Sequence, residues 1–304
     1  MSRPLNWNEE GLIWPHRAAS SFVKSGGGGA TWHVQRMVRA KCPPKALLLH
    51  GTGASVHSWD GLMPLLAEHF ETLAMDLPRH GFTQGHPPTA MSLPAMAAQI
   101  ASLITALGFK PDVVIGHSAG AALALQLALD HGVTTPIVGL NSALRPFPGP
   151  AAEIFPAIAK LLFVNPFVPR IFSRVATMGG EAERFLYRST NSYIPATSMA
   201  CYEALLRNPR HTKGALAMMA NWDLPTLKRR MVDVANPVLL VHSDNDAAIP
   251  LDWAREVCPI LPDARLIELA GHGHLAHEVA PTEVAARIMT FCADHAIVDA
   301  PSAA

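Results

Sequence analysis

The chain has 304 residues, and its 24 Lys and Arg balance 24 Asp and Glu, so the formal charge is zero. With 49% apolar and only 16% charged residues, it has the means to bury a large core. No Lys/Arg cluster is present, which argues against nucleic acid and against an anionic membrane surface as partners. The cysteines Cys42, Cys201, Cys258 and Cys292 have no metal-ligand spacing, so they read as reduced thiols and no metal is expected. The first ten residues lack the apolar stretch of a signal peptide, and a cytoplasmic protein is expected. The longest apolar region, Val113 to Leu129, is interrupted by Gly116, His117, Ser118, Gly120 and Gln126. It reads as a strand plus a helix and not as a membrane span.

In chain order, Ser21–Lys24 and Thr31–Val38 are strand-like and flank Gly26–Gly29. No Lys-Ser/Thr follows those glycines, so they are a hairpin turn and not a nucleotide loop. From Lys45 the pattern becomes strand, loop, helix, repeated. Ala46–His50 is a short continuous apolar run, as a strand buried on both faces requires. Helical spacing follows from Trp59 to His69, a strand at Thr72–Asp76, and a helix over Ser92–Leu107 with Ser92 as N-cap. A strand at Asp112–Ile115 runs through Gly116-His117-Ser118-Ala119-Gly120 into helical Ala121–Leu125, and Pro136–Leu140 is the next strand. Such alternation predicts a doubly wound, mostly parallel sheet.

Between residues 145 and 230 the alternation stops, and Pro-rich apolar helical pieces take its place at Ile154–Phe163, Met199–Leu206 and Gly214–Asn221. An insert of this size in an α/β core reads as a lid. Strands resume at Pro237–His242 and Ala264–Leu269, followed by a helix from Pro281 to His295. The expected organisation is an N-terminal extension, hairpin and first core part over 1–144, a helical lid over 145–230, and a second core part over 231–296. A disordered tail is expected over 297–304.

Gly116-His117-Ser118-Ala119-Gly120 is a G-x-S-x-G between strand and helix, the context in which a serine hydroxyl is exposed on a sharp turn. Its place at a helix N-terminus favours developing negative charge. A hydrolytic serine needs a base and an orienter for that base, and open sheets place such groups after their strands. Asp244 and Asp246 follow one strand; His272, His274 and His277 follow another. The order Ser, Asp, His is that of α/β-hydrolases. Within the lid, Met218, Met219 and Trp222 stand on one helical stretch, with Met218 and Trp222 at i and i+4. They read either as lid packing or as the lining of a pocket for a flat, apolar ring.

His50-Gly51-Thr52-Gly53 and Asp76-Leu77-Pro78-Arg79-His80-Gly81-Phe82-Thr83 also resemble α/β-hydrolase loops, so an α/β-hydrolase fold with an inserted helical lid is implied. The resemblance selects Asp246, four residues before Pro250, over Asp244. Gly271-x-Gly273-His274-x-x-His277-Glu278 selects His274 over His272 and His277. It implies Ser118 as nucleophile, His274 as base and Asp246 as orienter. The backbone N–H groups of Ala119 and Thr52 are implied as oxyanion donors, with Gly53 the alternative to Thr52. Arg79 departs from the family, which has glycine there. If that position needs φ > 0, the arginine is strained.

A narrower resemblance rests on Pro4-Leu5-Asn6-Trp7, Trp14-Pro15-His16-Arg17, Trp32-His33-Val34-Gln35-Arg36-Met37, Leu140-Asn141-Ser142-Ala143-Leu144, Phe147-Pro148-Gly149, Asn165-Pro166-Phe167-Val168-Pro169-Arg170 and Met218-Met219-Ala220-Asn221-Trp222-Asp223-Leu224. Together these are similar to the magnesium-chelatase accessory proteins of bacteriochlorophyll biosynthesis (the BchO type). The resemblance implies a role around Mg²⁺ insertion into protoporphyrin IX, with chelatase subunits as partners and an apolar, tetrapyrrole-class molecule as substrate. No G-x-x-x-x-G-K-[ST] occurs, so the chain is not the ATP-consuming subunit and no cofactor is expected. Three functions stay open: a serine hydrolase of an apolar ester or thioester, a non-catalytic porphyrin-binding or assembly module, and a generic carboxylic-ester hydrolase.

Overall fold

A computed structural model describes residues 3–25, 30–145 and 180–299. The glycine turn expected at Gly26–Gly29, the helical piece at Ile154–Phe163 and residues 300–304 of the expected tail lie outside them. Eight strands form one sheet: β1 (Ser20–Ser25), β2 (Ala30–Met37), β3 (Lys45–Leu49), β4 (Glu71–Met75), β5 (Val113–His117), β6 (Ile137–Leu140), β7 (Val238–Ser243) and β8 (Ala264–Leu269). Their order is β1-β2-β4-β3-β5-β6-β7-β8. The hairpin β1–β2 joins β4 antiparallel, and every pair from β4 to β8 is parallel. The edges are therefore β1, with exposed Phe22 and Lys24, and β8, with exposed Arg265 and Glu268.

Helices α1 (Leu62–Leu66), α2 (Leu93–Ala106) and α3 (Ala119–His131) are interleaved with β3 to β6. The described part of the insert holds α4 (Glu181–Thr190), α5 (Ala196–Leu206), α6 (Pro209–Asn221) and α7 (Leu224–Arg230). After β7 and β8 come α8 (Leu251–Val257), α9 (Ala276–Val279) and α10 (Pro281–Asp294). In β3, Leu47 and Leu49 join one apolar cluster with Ile100, Leu103, Leu123 and Leu127. Ala46 and Leu48 join the other, with Leu62, Leu66, Ile288 and Phe291. A period of two with both faces apolar is what a strand sandwiched between helix layers requires.

Local elements differ from expectation at three places. The helical run from Trp59 is shorter, a 3₁₀ turn at Val56–Trp59 followed by the single-turn α1. Ser92 stands at the N-cap of α2, but its hydroxyl makes no capping bond. Ile297 and Val298, the start of the expected tail, pack against the core. No helix among the described residues is long and apolar enough to cross a membrane.

Of the 15 histidines, several are buried at the C-terminal ends of the strands, where they tie loops together. His50 donates through Nδ1 to Gly51 O (2.8 Å) and accepts Leu77 N–H on Nε2 (2.9 Å). His211 of α6 accepts Gly81 N–H (3.0 Å), so its Nε2 donates to Gly53 O (3.0 Å). His33 and Asp76 are fully buried and paired at 2.8 Å, and Asp76 also accepts the N–H groups of Val56 and Phe82 at 2.8 Å each. Burial alone would raise the Asp76 carboxyl. The neighbouring His33 and His50 and the Val56 N–H outweigh it and hold the group below its ordinary value.

Burial pushes His50, His80, His86, His117 and His242 down. It takes His57 and His277 to about 3 and His211 to about 4. Below the ordinary value of 6.5 the unfolded chain therefore takes up protons that the native chain refuses, and stability falls with pH. Glu278, which burial raises to about 7, and His16, which its bond to Asp60 raises, oppose this, because the stability each contributes is lost as pH rises through its raised value. The melting temperature is expected to drop steadily from about pH 6.5 to pH 4. A scanning-calorimetry series that stays flat over that window contradicts this account.

Candidate active site

Ser118 follows β5 with φ 51° and ψ −114°, in the left-handed half of the map that costs an L-residue free energy. Backbone hydrogen bonds hold it there: Ser118 N–H donates to Leu140 O (2.8 Å), and Ser118 O accepts the N–H groups of Ala143 (3.1 Å) and Ala121 (3.2 Å). Turning this sharply drives backbone into backbone. A Cβ on Gly116 would overlap Ala121 N, and one on Gly120 would overlap Leu49 O of β3. Only glycine fits either place. Ser118 itself is half-buried. The next residue, Ala119, opens the 13-residue α3, whose first N–H groups lack intrahelical partners and form the positive end of the helix.

Asp246 and His274 lie on the loops after β7 and β8, with His274 Nδ1 2.8 Å from Asp246 Oδ2. Asp246 is otherwise saturated. Its Oδ1 accepts Ala248 N–H and Ile249 N–H, and its Oδ2 accepts the Asn141 amide, each at 2.8 Å. Burial would raise this carboxyl. The bond and charge of His274, the Ile249 N–H and the Asn141 amide reverse that and keep it below the usual carboxylate value. An ionised Asp246 makes Nδ1 of His274 the protonated nitrogen, so Nε2 of the neutral ring is the acceptor. His117, beside Ser118, donates through Nε2 to His274 O (3.0 Å).

The rival residues are engaged elsewhere. Asp244 is an exposed turn carboxylate accepting Gly271 N–H (2.8 Å). His272 pairs with Glu283 (3.0 Å). His277 is fully buried against Ser58 Oγ (2.9 Å). Asn141 was not a sequence candidate, although it stands directly after β6, at the same strand edge that supplied the others. It has φ 45°, and its Oδ1 accepts from Ser243 Oγ (3.3 Å).

Thr52 lies on the loop after β3. A Cβ on Gly51 would come within 3.1 Å of Ser118 Cβ and 2.9 Å of His117 Nδ1, so this loop runs against the serine turn. Thr52 Oγ1 donates to Met218 Sδ (3.5 Å). Met218 is buried in the core, Met219 is exposed, and Trp222 packs half-buried on the core. The expected common face of Met218 and Trp222 does not form, because α6 ends at Asn221 and Trp222 is extended (φ −87°, ψ 129°). The cause is the next helix. Asp223 caps α7 by accepting Thr226 N–H (3.0 Å), with Pro225 in its first turn, and an N-cap requires non-helical backbone. Arg79 does occupy the left-handed region, with φ 63°.

The insert also holds the loop of His274. His274 N–H donates to Thr190 O (2.7 Å) and Leu275 N–H to Ser192 Oγ (3.0 Å). A hydroxyl on a strained turn at a helix N-terminus and a carboxylate-oriented imidazole are the group types that acyl transfer uses. No group of three or more His, Cys, Asp and Glu among the described residues is placed to hold a metal ion.

Residues 46–287 match the alpha/beta hydrolase family. The chain is 37% identical over 278 residues to the magnesium-chelatase 30 kDa subunit of Rhodobacter capsulatus, covering 91% of this chain and 95% of that one. It is 29% identical over 246 residues to a pimeloyl-[acyl-carrier protein] methyl ester esterase of Aromatoleum aromaticum, covering 76% and 91%. Among solved structures, the enol-lactonase from Burkholderia xenovorans LB400 superposes with a TM-score of 0.72 at 17% identity, over 89% of this chain and 99% of the other. A thermophilic esterase from Thermogutta terrifontis gives 0.72 at 19%, over 90% and 98%.

Gly120→Ala is expected to destabilise the chain by about 3 kcal/mol or more, because the Leu49 carbonyl belongs to a central strand and cannot yield. Chemical denaturation read by circular dichroism measures this, and an unchanged midpoint contradicts the packing described.

Proposed function

The chain belongs to the alpha/beta hydrolase family, and we propose that within it this protein is a serine hydrolase cleaving an ester or thioester of an apolar metabolite. The observation that carries the reading is the saturated, ionised Asp246 at 2.8 Å from His274 Nδ1, with the His274 carbonyl bonded to His117, the chain neighbour of Ser118 (3.0 Å). Ser118 Oγ attacks the acyl carbon while His274 Nε2 takes its proton. The oxyanion so formed is met by the N–H groups of Ala119 and Thr52, each worth about 3–4 kcal/mol to the transition state. Collapse breaks the bond to the leaving alcohol or thiol, which receives the proton from His274. Water then repeats the sequence on the acyl-enzyme, releasing the acid and restoring Ser118.

The relative named as a magnesium-chelatase subunit, 37% identical over 91% of the chain, supports a setting for this reaction. We infer a cytoplasmic accessory protein of magnesium chelatase in bacteriochlorophyll biosynthesis, associating with chelatase subunits and acting on a tetrapyrrole-class compound. Met218, buried beneath Thr52, gives the oxyanion loop a soft apolar backing. Met219 and Trp222 are the more exposed residues of the same segment and the ones available to such a ring.

Ser118→Ala and His274→Ala are each expected to lower chromogenic ester hydrolysis by about a thousandfold, whereas His272→Ala stays within about threefold. A serine-reactive fluorophosphonate should label the wild type and not Ser118→Ala. Failure to label the folded wild type overturns the hydrolase reading in favour of a binding module. Protoporphyrin IX at micromolar concentration is expected to quench tryptophan fluorescence, and no quenching removes the tetrapyrrole assignment while leaving the hydrolase intact.

A further inference from the structure

Arg79, in the left-handed region at the turn after β4, sends Nη1 to His86 O (2.9 Å), while its Nε is buried without a partner. The start of α6 lies against it, close enough that a Cβ on Gly214 would overlap the Arg79 carbonyl oxygen. Between this turn, the N-terminal segment and α6 is a cavity of about 210 Å³, bordered by Pro4, Leu5, Arg79, His86, Arg210 and His211. That is smaller than the ~300 Å³ of ordinary organic-ligand pockets.

Its charge is one-sided. No Asp or Glu borders the cavity. Burial first, and then the Arg210 charge, push Arg79 below its ordinary value, and no carboxylate contributes. Two guanidiniums thus share a wall without an anion between them, an arrangement that favours a multiply charged oxyanion.

His86 adds the opposite hydrogen-bonding sense. The Gln99 amide nitrogen donates to Ala90 O (2.8 Å) and Ala95 O (2.9 Å), so its oxygen is the acceptor that meets His86 Nδ1. Nδ1 therefore carries the ring proton. Burial and the Arg79 charge hold the ring neutral, which leaves Nε2 a bare acceptor, buried and unpartnered. His211 offers nothing more, since both its nitrogens are engaged by Gly81 and Gly53. The residues that border the cavity carry strong donors and, in His86 Nε2, one buried acceptor without a partner. A carboxylate has acceptors only and would set its charge against the His86 lone pair; a hydrogen phosphate has acceptor oxygens and a P–OH donor.

We propose that this cavity binds hydrogen phosphate or the monoanion of a phosphate monoester, its oxygens on the guanidiniums of Arg79 and Arg210 and its P–OH toward His86 Nε2. The site is separate from Ser118 and does not depend on hydrolase activity.

Calorimetric titration of the full chain at pH 7 in a phosphate-free buffer of fixed ionic strength, with inorganic phosphate, phenyl phosphate, malonate and acetate, tests it. Saturable binding of a phosphate is expected, with malonate and acetate about tenfold weaker or worse. Tighter binding of phenyl phosphate assigns the site to an esterified phosphate; tighter binding of inorganic phosphate assigns it to the free ion. Arg210→Ala changes an exposed side chain, and Arg79→Gly relieves the left-handed backbone, so both are expected to fold. Each should weaken phosphate binding about tenfold or more. Absence of saturable phosphate binding, equal affinity for malonate, or unchanged affinity in both variants overturns the proposal.

Discussion

The left-handed backbone of Ser118 is held at a cost of about 1–3 kcal/mol for an L-residue in a sparsely populated region, and only close packing around it makes that tolerable. Gly120 must sit on the Leu49 carbonyl, and Gly51 must approach the Ser118 β-carbon. Both contacts require β3 and β5 to be neighbours. The strand order β4-β3-β5 satisfies this, because the chain leaves β3 toward one side of the sheet and returns for β5 on the other. The loops after the two strands then diverge and open a crevice. The apolar layers on both faces keep the pair in register, so the turn depends on the whole sheet.

The described part of the insert is bound to the loops it overlies. Thr190 and Ser192 accept the N–H groups of His274 and Leu275, His211 holds Gly53, and Met218 receives the Thr52 hydroxyl. The loop of His274 is thus fastened to the end of α4, and the loop of Thr52 and Gly53 to α6. Neutral histidines suit this work. Each offers one donor and one acceptor at fixed separation, and burial without a formal charge costs far less than it would for a lysine or carboxylate.

Much of this was legible in the chain. The strand alternation predicted the parallel sheet, and G-x-S-x-G between Ile115 and Ala121 predicted the turn, because a helix entered that abruptly leaves glycine little competition. Asp246 and Asp244 share one loop, and only the fold shows that the first faces His274 while the second accepts a backbone N–H of the opposite turn. Asn141 was hidden because its role needs β6 and β7 side by side. Trp222 misled because the i, i+4 spacing presumes a continuing helix, and Asp223 with Pro225 ends it. The conditional worry over Arg79 proved physical: its φ is positive, and Gly214 has no side chain where the arginine turn needs room.

The two borders of the sheet differ in how they would receive another strand. An outer strand presents unpaired N–H and C=O groups, an invitation to continue the sheet from one molecule to the next. At β8 such continuation has to displace charged side chains already engaged, Arg265 with Asp294 (2.8 Å) and Glu268 with Arg255 (2.8 Å). At β1 the strand runs Ser20, Ser21, Phe22 and Val23, with Lys24 its one charge before Ser25. Self-association of damaged or partly unfolded copies therefore meets less resistance at the N-terminal hairpin than at the C-terminal border.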